Sequence, residues 1–259
     1  MNLPEKHLDS KPKQSLKPIT RDIFASAAKE TGTDKYQIHG YHRFYPLALS
    51  QINREDPFTL IEIGYGNGAS IPMWHILFPN AYIICIDKDV SLQGANYTVI
   101  KADQSDPESI IPALAQTKLP VRLIIDDGSH HPRHQLTSFS ELFEAILEPG
   151  GQYIIEDIET SYWLSGNLYG NEIRFGLFNK WSAIESLKLA VDYLNRTYLS
   201  EDDISLLEYS MAFAGLSPSA AKQISSATFG QNCVILRKAV EGDEQYIDRP
   251  YSYSAFTRR

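Results

Sequence analysis

Five short apolar runs govern what this chain can fold into: FTLIEIG (58–64), AYIICID (81–87), YTVIKAD (97–103), VRLIIDD (121–127) and GQYIIED (151–157). None alternates apolar with polar residues, as a strand facing water on one side would, so each reads as a strand covered on both faces. The stretches between them have helical periodicity. Ile71, Trp74 and Leu77 recur at helical spacing after the first run, with Pro72 acceptable in a first turn. Leu136, Phe139, Phe143 and Ile146 or Leu147 form one stripe after the fourth, which Pro149-Gly150-Gly151 is expected to stop. Strands alternating with amphipathic helices predict an α/β chain with a Rossmann-like, doubly wound, mostly parallel sheet. Seven strands are expected, the last two an antiparallel hairpin in AKQISSATFGQNCVILRKA that turns near Gly230-Gln231-Asn232.

The flanks are simpler. Residues 1–18 are polar, lysine-rich and carry three prolines, which predicts a flexible arm before a single domain over 19–240 and a Tyr-rich tail over 241–259. ITRDIFASAAKETG predicts a helix closed by Gly32, and YHRFYPLALSQI a second one despite Pro46. WSAIESLKLAVDYLNR predicts a third, with Trp181, Ile184, Leu187, Val191 and Leu194 on its apolar side. A formal net charge of −8 over 259 residues argues against a nucleic-acid partner, which favours a basic face. No apolar stretch approaches membrane-spanning length, and Cys85 and Cys233 sit inside apolar runs as buried thiols would. A cytoplasmic location is expected, and self-association is left open.

In a doubly wound sheet, ligands bind beyond the carboxyl ends of the strands, and here every run ends in acid or glycine. The first leads into Glu62-Ile63-Gly64-Tyr65-Gly66-Asn67-Gly68-Ala69-Ser70, whose glycines allow close backbone approach to a ligand before a helix begins. Asp87 ends the second run, where a ribose-binding acid belongs, and Asp103-Gln104 end the third. Read alone, this pattern suits an NAD-type Rossmann enzyme, a nucleotide-binding module without catalysis, or an S-adenosylmethionine (AdoMet) enzyme. The fourth and fifth runs discriminate. RLIIDDGSHHPRH sets Asp126, Asp127, His130, His131 and His134 at one strand end, and Glu156-Asp157 end the neighbouring strand. Asp127, Glu156 and Asp157 together would repel unless a cation lies among them. Oxygen ligands favour Mg²⁺, with Mn²⁺ or Ca²⁺ as alternatives. His130, one Gly-Ser turn beyond Asp127, is placed to overhang that ion, and a histidine suits general-base work near neutral pH. Tyr162 and Trp163 follow on a loop as candidate substrate walls.

The segments GTDK (32–35), EIGYGNGAS, ADQSD, IDDGSHH and PGGQYIIEDIETSYW together resemble the metal-dependent sugar O-methyltransferases of macrolide biosynthesis, within the class I AdoMet-dependent methyltransferases. The resemblance runs from about residue 30 to about 165. It implies AdoMet as methyl donor, with Thr33, Asp34, Glu62, Gly64, Gly66, Gly68, Ser70, Asp87, Asp103, Gln104 and Asp126 at the cofactor. It further implies Mg²⁺ on Asp127, Glu156 and Asp157, with His130 as general base. The acceptor is expected to be a small hydroxylated molecule, a sugar or glycosylated natural product, with a phenol or catechol as the alternative. The segment 166–220 matches none of the family's motifs.

Overall fold

In the computed structural model, which describes residues 16–114 and 117–243, the five runs lie side by side in one sheet. The strands are β1 (Thr59–Ile63), β2 (Tyr82–Asp87), β3 (Leu92–Gln93), β4 (Tyr97–Lys101), β5 (Val121–Asp126), β6 (Leu147–Glu156), a separate pair β7 (Gly166–Leu168) and β8 (Asn171–Ile173), then β9 (Ile224–Gly230) and β10 (Cys233–Lys238). The sheet runs β3-β4-β2-β1-β5-β6-β10-β9. Pairing is parallel from β4 through β6, while β10 is antiparallel to both β6 and β9. The order reverses between β1 and β5, which makes the carboxyl ends of β1, β2, β5 and β6 the ligand crevice of this architecture.

Two apolar layers sandwich the sheet. On one face α1 (Arg21–Thr31), α2 (Asp34–Gln37), α3 (Tyr45–Leu49) and α4 (Ser70–Leu77) accompany a core containing Phe24, Tyr41, Tyr45, Trp74, Ile83 and Ile125. On the other, α5 (Pro107–Leu114), α6 (Pro132–Ala145), α7 (Ala183–Leu194), α8 (Glu201–Ala214) and α9 (Pro218–Lys222) cover Ile61, Ile84, Ile124, Phe139 and Tyr153. Helix α1 begins at Thr20, whose hydroxyl accepts from Ile23 N at 3.3 Å, and ends at Gly32 with φ 75°. Cys85 and Cys233 are free and buried. No helix among the described residues is long and apolar enough to cross a membrane.

Several expectations need correction. The sheet has eight strands rather than seven, because Leu92–Gln93 adds a two-residue antiparallel edge too short for any periodic signal. YHRFYPLALSQI is not one helix. A 3₁₀ turn over Tyr41–Arg43 precedes α3, and Pro46 stands in the first turn of α3. Pro149-Gly150-Gly151 does not stop α6, which ends at Ala145. These residues lie within β6, where Gly150 takes φ 79° and the register against β5 shifts. The arm 1–18 and the tail 241–259 fall outside the described residues except for 16–18 and 241–243.

Two devices fix the strand-end loops. Gly64 has φ 97°, and a Cβ there would lie 2.0 Å from the Asp127 carbonyl oxygen, so only glycine lets the β1 and β5 ends approach so closely. Gln104 donates from Nε2 to both oxygens of buried Asp126, each at 2.8 Å, and accepts from Ser129 N at 2.8 Å, clamping the loops after β4 and β5 together.

Two outcomes follow for stability. Phe139 is fully buried, with its ring 4.6 Å from Phe143 and edge-on to Tyr153 at 5.1 Å. Phe139→Ala is expected to destabilise the fold by about 3–5 kcal/mol, read as a lower urea midpoint at unchanged m. Burial pushes Asp126 up to about 7, against hydrogen bonds from Gln104 and Gly128. An acid raised in the folded state gives stability at low pH that is lost as pH rises from its ordinary value through the raised one. Between pH 4 and 7 the loss is at most about 1.4 kcal/mol per pH unit. Asp126→Asn should flatten that slope in urea titrations across this window, and an unchanged slope would contradict the assignment.

Candidate functional site

The ends of β1, β5 and β6 converge on a single ammonium group. Lys35, carried by α2, places Nζ 2.7 Å from Asp127 Oδ2, 2.8 Å from each Glu156 oxygen and 3.4 Å from Glu62 Oε1. Glu156 also accepts from Tyr45 Oη, while Glu62 Oε2 accepts from Ser70 Oγ at 2.5 Å and Trp74 Nε1 at 3.0 Å. Lys35 and Glu62 are each 1% exposed. Burial works against the charged ammonium, but the carboxylates of Asp127, Glu156 and Glu62 hold Lys35 well above the usual lysine range. Burial first, and then the Asp127 charge, push Glu156 upward despite Lys35 and Tyr45. Glu62 is likewise raised by burial.

A second group of side chains lies outward of this one. Asp157, with φ 51°, accepts at Oδ1 from Tyr41 Oη at 2.6 Å and Asn232 Nδ2 at 2.8 Å, and His39 Nδ1 lies 3.1 Å from the same oxygen. Its Oδ2 stands 3.7 Å from His130 Nε2. Hydrogen bonds to Asp157 and then Asp34 raise His39 to about 10, so it is a cation at neutral pH. Burial acts to raise Asp157, but the bonds from His39 and Tyr41 and the nearby histidines outweigh it and hold that carboxyl below its usual value. His130 is buried, takes φ 53°, and has its carbonyl fixed by Thr160 Oγ1 at 2.6 Å. Its Nδ1 has no partner. Asp127, His130 and Asp157 each offer a ligand atom, and the three atoms lie within 4.8 Å of one another. Each carboxylate has one oxygen committed to protein donors and a second one to offer. The two carboxylates so arranged fit a hard divalent cation, with the imidazole beside them as a base rather than a ligand.

Two cavities meet here. One, of about 370 Å³, is lined by Gly64, Gly66, Asp87, Asp103, Gln104 and Asp127. Asp87 also accepts from Tyr65 N at 3.1 Å, tying the glycine loop to β2, and Asp103 accepts from Ser105 N at 2.8 Å. The other, of about 540 Å³, is lined by Thr33, Asp34, Ser70, His130, Asp157 and Trp163 among others. Gly64, Gly66, Asp127 and Tyr169 border both. Glu62, Gly68 and Asp126 line neither cavity: Glu62 and Asp126 are buried behind the loops, and Gly68 closes the loop by donating to Tyr65 O at 2.8 Å. Glu156 is sealed behind Lys35, outside the Asp127, His130 and Asp157 group. Tyr162 is separated from Trp163 and faces a third, larger groove of about 820 Å³ with Ile38 and Phe229.

Sequence reasoning missed several participants. Lys35 lies within GTDK with no role assigned by the resemblance, although a lysine among three acids is the counter-charge such a cluster needs. His39, Tyr41 and Tyr45 carry no motif at all. His134 reaches the 370 Å³ cavity and bonds Ser129 Oγ at 2.9 Å. His131 instead caps α6, its Nδ1 accepting from Arg133 N at 3.3 Å, and burial lowers it to about 4, in keeping with a neutral acceptor. The β7–β8 hairpin lies in the segment without motifs, and its tip, Tyr169-Gly170-Asn171, borders the smaller cavity.

No protein-family model matches the chain. Among curated proteins it is 38% identical over 155 residues to the 8-demethyl-8-alpha-L-rhamnosyl tetracenomycin-C 2'-O-methyltransferase of Streptomyces olivaceus, covering 55% of this chain and 40% of that one. It is 34% identical over 158 residues to the demethylmacrocin O-methyltransferase of Streptomyces fradiae, covering 58% and 38%. It is 37% identical over 119 residues to the mycinamicin VI 2''-O-methyltransferase of Micromonospora griseorubida, covering 42% and 29%. Each match thus spans less than half of the relative's own length. A solved structure of MycE methyltransferase from the mycinamycin pathway, in complex with Mg, SAH and mycinamycin VI, superposes with TM-score 0.66 at 23% identity, covering 83% of this chain and 54% of that one. A second MycE structure, with Mg and SAH, gives 0.69 at 24%, covering 86% and 54%. The chain has the fold of these methyltransferase structures, and over about half of its length it is similar in sequence to O-methyltransferases of natural-product biosynthesis.

Proposed function

We propose that the chain is an AdoMet- and Mg²⁺-dependent O-methyltransferase acting on a hydroxyl of a sugar or glycosylated natural product. One observation carries the reading: Asp127, His130 and Asp157 converge within 4.8 Å where two cavities share the glycine-loop wall. The 370 Å³ cavity, with Asp87, Asp103 and Gln104, suits the adenosine of AdoMet. The 540 Å³ cavity, with His130 and Trp163, suits the acceptor. The named activities of the curated relatives, three of which name a rhamnosyl or olivosyl acceptor, support the acceptor class. Two buried free thiols accord with a reducing, cytoplasmic setting.

When bound, the sulfonium supplies the methyl group, and a divalent ion held by Asp127 and Asp157 makes an alcohol more acidic. The rest falls to the protein. His130 takes the acceptor hydroxyl proton at Nε2, the nitrogen on the side of Asp157. The imidazolium so formed lies beside the Asp157 carboxylate, which offsets its charge. Thr160 holds the His130 carbonyl and fixes the turn that aims the ring. Gly64 brings the β1 loop against the Asp127 backbone, so that cofactor wall and acceptor wall meet at one edge.

His130→Ala is expected to lower methyl transfer by roughly 10²–10⁴-fold while AdoMet affinity stays within a few-fold, read by radiolabelled transfer and calorimetry. Asp127→Ala should remove both activity and its Mg²⁺ dependence. Glycosides should be methylated in preference to catechols. An activity that survives EDTA, or a thermal shift with NAD⁺ instead of S-adenosylhomocysteine (SAH), would refute the reading.

A further inference from the structure

The β7–β8 hairpin crosses the mouth of the crevice, from the loop after β6 to the end of β2. At its root, Phe175 N donates to Trp163 O at 2.8 Å, and a Cβ on Gly166 would lie 2.6 Å from the Trp163 ring, so the hairpin is seated against that indole. At its tip, Tyr169 O accepts from Nζ of Lys88, the residue after β2, at 3.4 Å. Leu168 pairs with Asn171, and between them Tyr169 and Gly170 take φ 50° and 85°, a two-residue turn with both residues left-handed. Such a turn favours Asn or Asp before the glycine, and a bulky aromatic is disfavoured there. The chain nonetheless carries tyrosine, and strain of this kind collects where a side chain is put to use. The Tyr169 ring lies 5.8 Å from the His130 ring, at 49° to it. Tyr169 borders both cavities, whereas Gly170 and Asn171 border the 370 Å³ one and Leu168 the 540 Å³ one. Burial and then the charges of Asp127, Asp157 and Asp34 hold the phenol above the usual tyrosine range, and Asp34 and Asp157 line the 540 Å³ cavity but not the other. Tyr169 is 62% exposed, so its ring has contact area to offer a ligand.

We propose that Tyr169 is a specificity-determining residue for the acceptor: its ring packs on the C–H face of a sugar held in the 540 Å³ cavity and thereby selects which hydroxyl meets His130. The inference rests on the reading of that cavity as the acceptor site. A sugar ring is polar at its edge and apolar where its C–H bonds point, so an aromatic ring can take the face while polar side chains take the edge. Several hydroxyls stand around that edge at similar distances. A base alone does not choose among them, since a small sideways shift or a flip of the sugar exchanges one for its neighbour. A flat ring fixed over the cavity removes that freedom, and the pinned hairpin holds the ring there.

Methyl transfer from radiolabelled AdoMet to p-nitrophenyl α-L-rhamnoside tests this in wild type, Tyr169→Phe and Tyr169→Asn, with the methyl ethers separated and assigned by NMR. Asn suits the left-handed turn better than tyrosine does, so that variant removes the ring and keeps the hairpin. Should it not fold, Tyr169→Gly, which the same turn admits, replaces it. SAH affinity by calorimetry is the control for the fold and for the cofactor side. Wild type is expected to give one methyl ether, and Tyr169→Phe the same ether at a rate within a few-fold. Tyr169→Asn should raise the rhamnoside KM by about tenfold or more and yield a mixture of ethers, with SAH affinity within a few-fold of wild type. A loss as large in Tyr169→Phe would place the role in the hydroxyl and not the ring. A fall in kcat with KM and product pattern unchanged would make Tyr169 a support for His130, and a matching loss of SAH affinity would assign it to the cofactor. Each of these would overturn the inference. Absence of transfer by wild type to this rhamnoside and to p-nitrophenyl glycosides of other sugars would instead refute the sugar-acceptor reading, and the inference with it.

Discussion

A buried ammonium surrounded by carboxylates is the constraint on which the crevice depends. Glu62, Asp127 and Glu156 come from three neighbouring strand ends, and without Lys35 each would push the others toward their protonated forms. Withdrawing such charges from water costs several kcal/mol per ion, and close pairing with further hydrogen bonds is what offsets it. Tyr45, Ser70 and Trp74 supply those bonds. The cluster also docks the N-terminal segment, since Lys35 on α2, Tyr41 and Tyr45 reach the strand ends from the same stretch of chain.

From this follows a division of the acids into two layers. The inner layer, Glu62 and Glu156 with Asp127 Oδ2, contacts Lys35. The outer layer, the other oxygen of Asp127 with Asp157 and His130, faces the cavities. Asp157 belongs outward because His39, Tyr41 and Asn232 all converge on its Oδ1 and leave Oδ2 on the His130 side. On the proposed reading, a cation beside a base would lie where the 370 Å³ cavity meets the 540 Å³ one.

The central strands were readable because burial on both faces leaves them apolar throughout, and the acids at their ends stood out against that background. What could not be read was direction. Side chains alternate across a strand, so adjacent acids diverge: Asp126 turns inward to Gln104, while Asp127 turns to Lys35 and the cavities. The same step separates Glu156 from Asp157. Lys35 lies 92 residues from Asp127, and no local pattern reports such a contact. Helix α8 escaped because Leu206, Tyr209 and Phe213 face outward and blur its apolar stripe. The two-residue β3 and the β7–β8 hairpin were too short to show a period.

The most direct measurement is anomalous diffraction from a crystal grown with Mn²⁺ and SAH. The account predicts a metal peak between Asp127 and Asp157, next to the His130 ring, with the cofactor sulfur nearby along the Gly64–Gly66 wall. A metal bound elsewhere, or SAH lying away from the glycine loop, would contradict it.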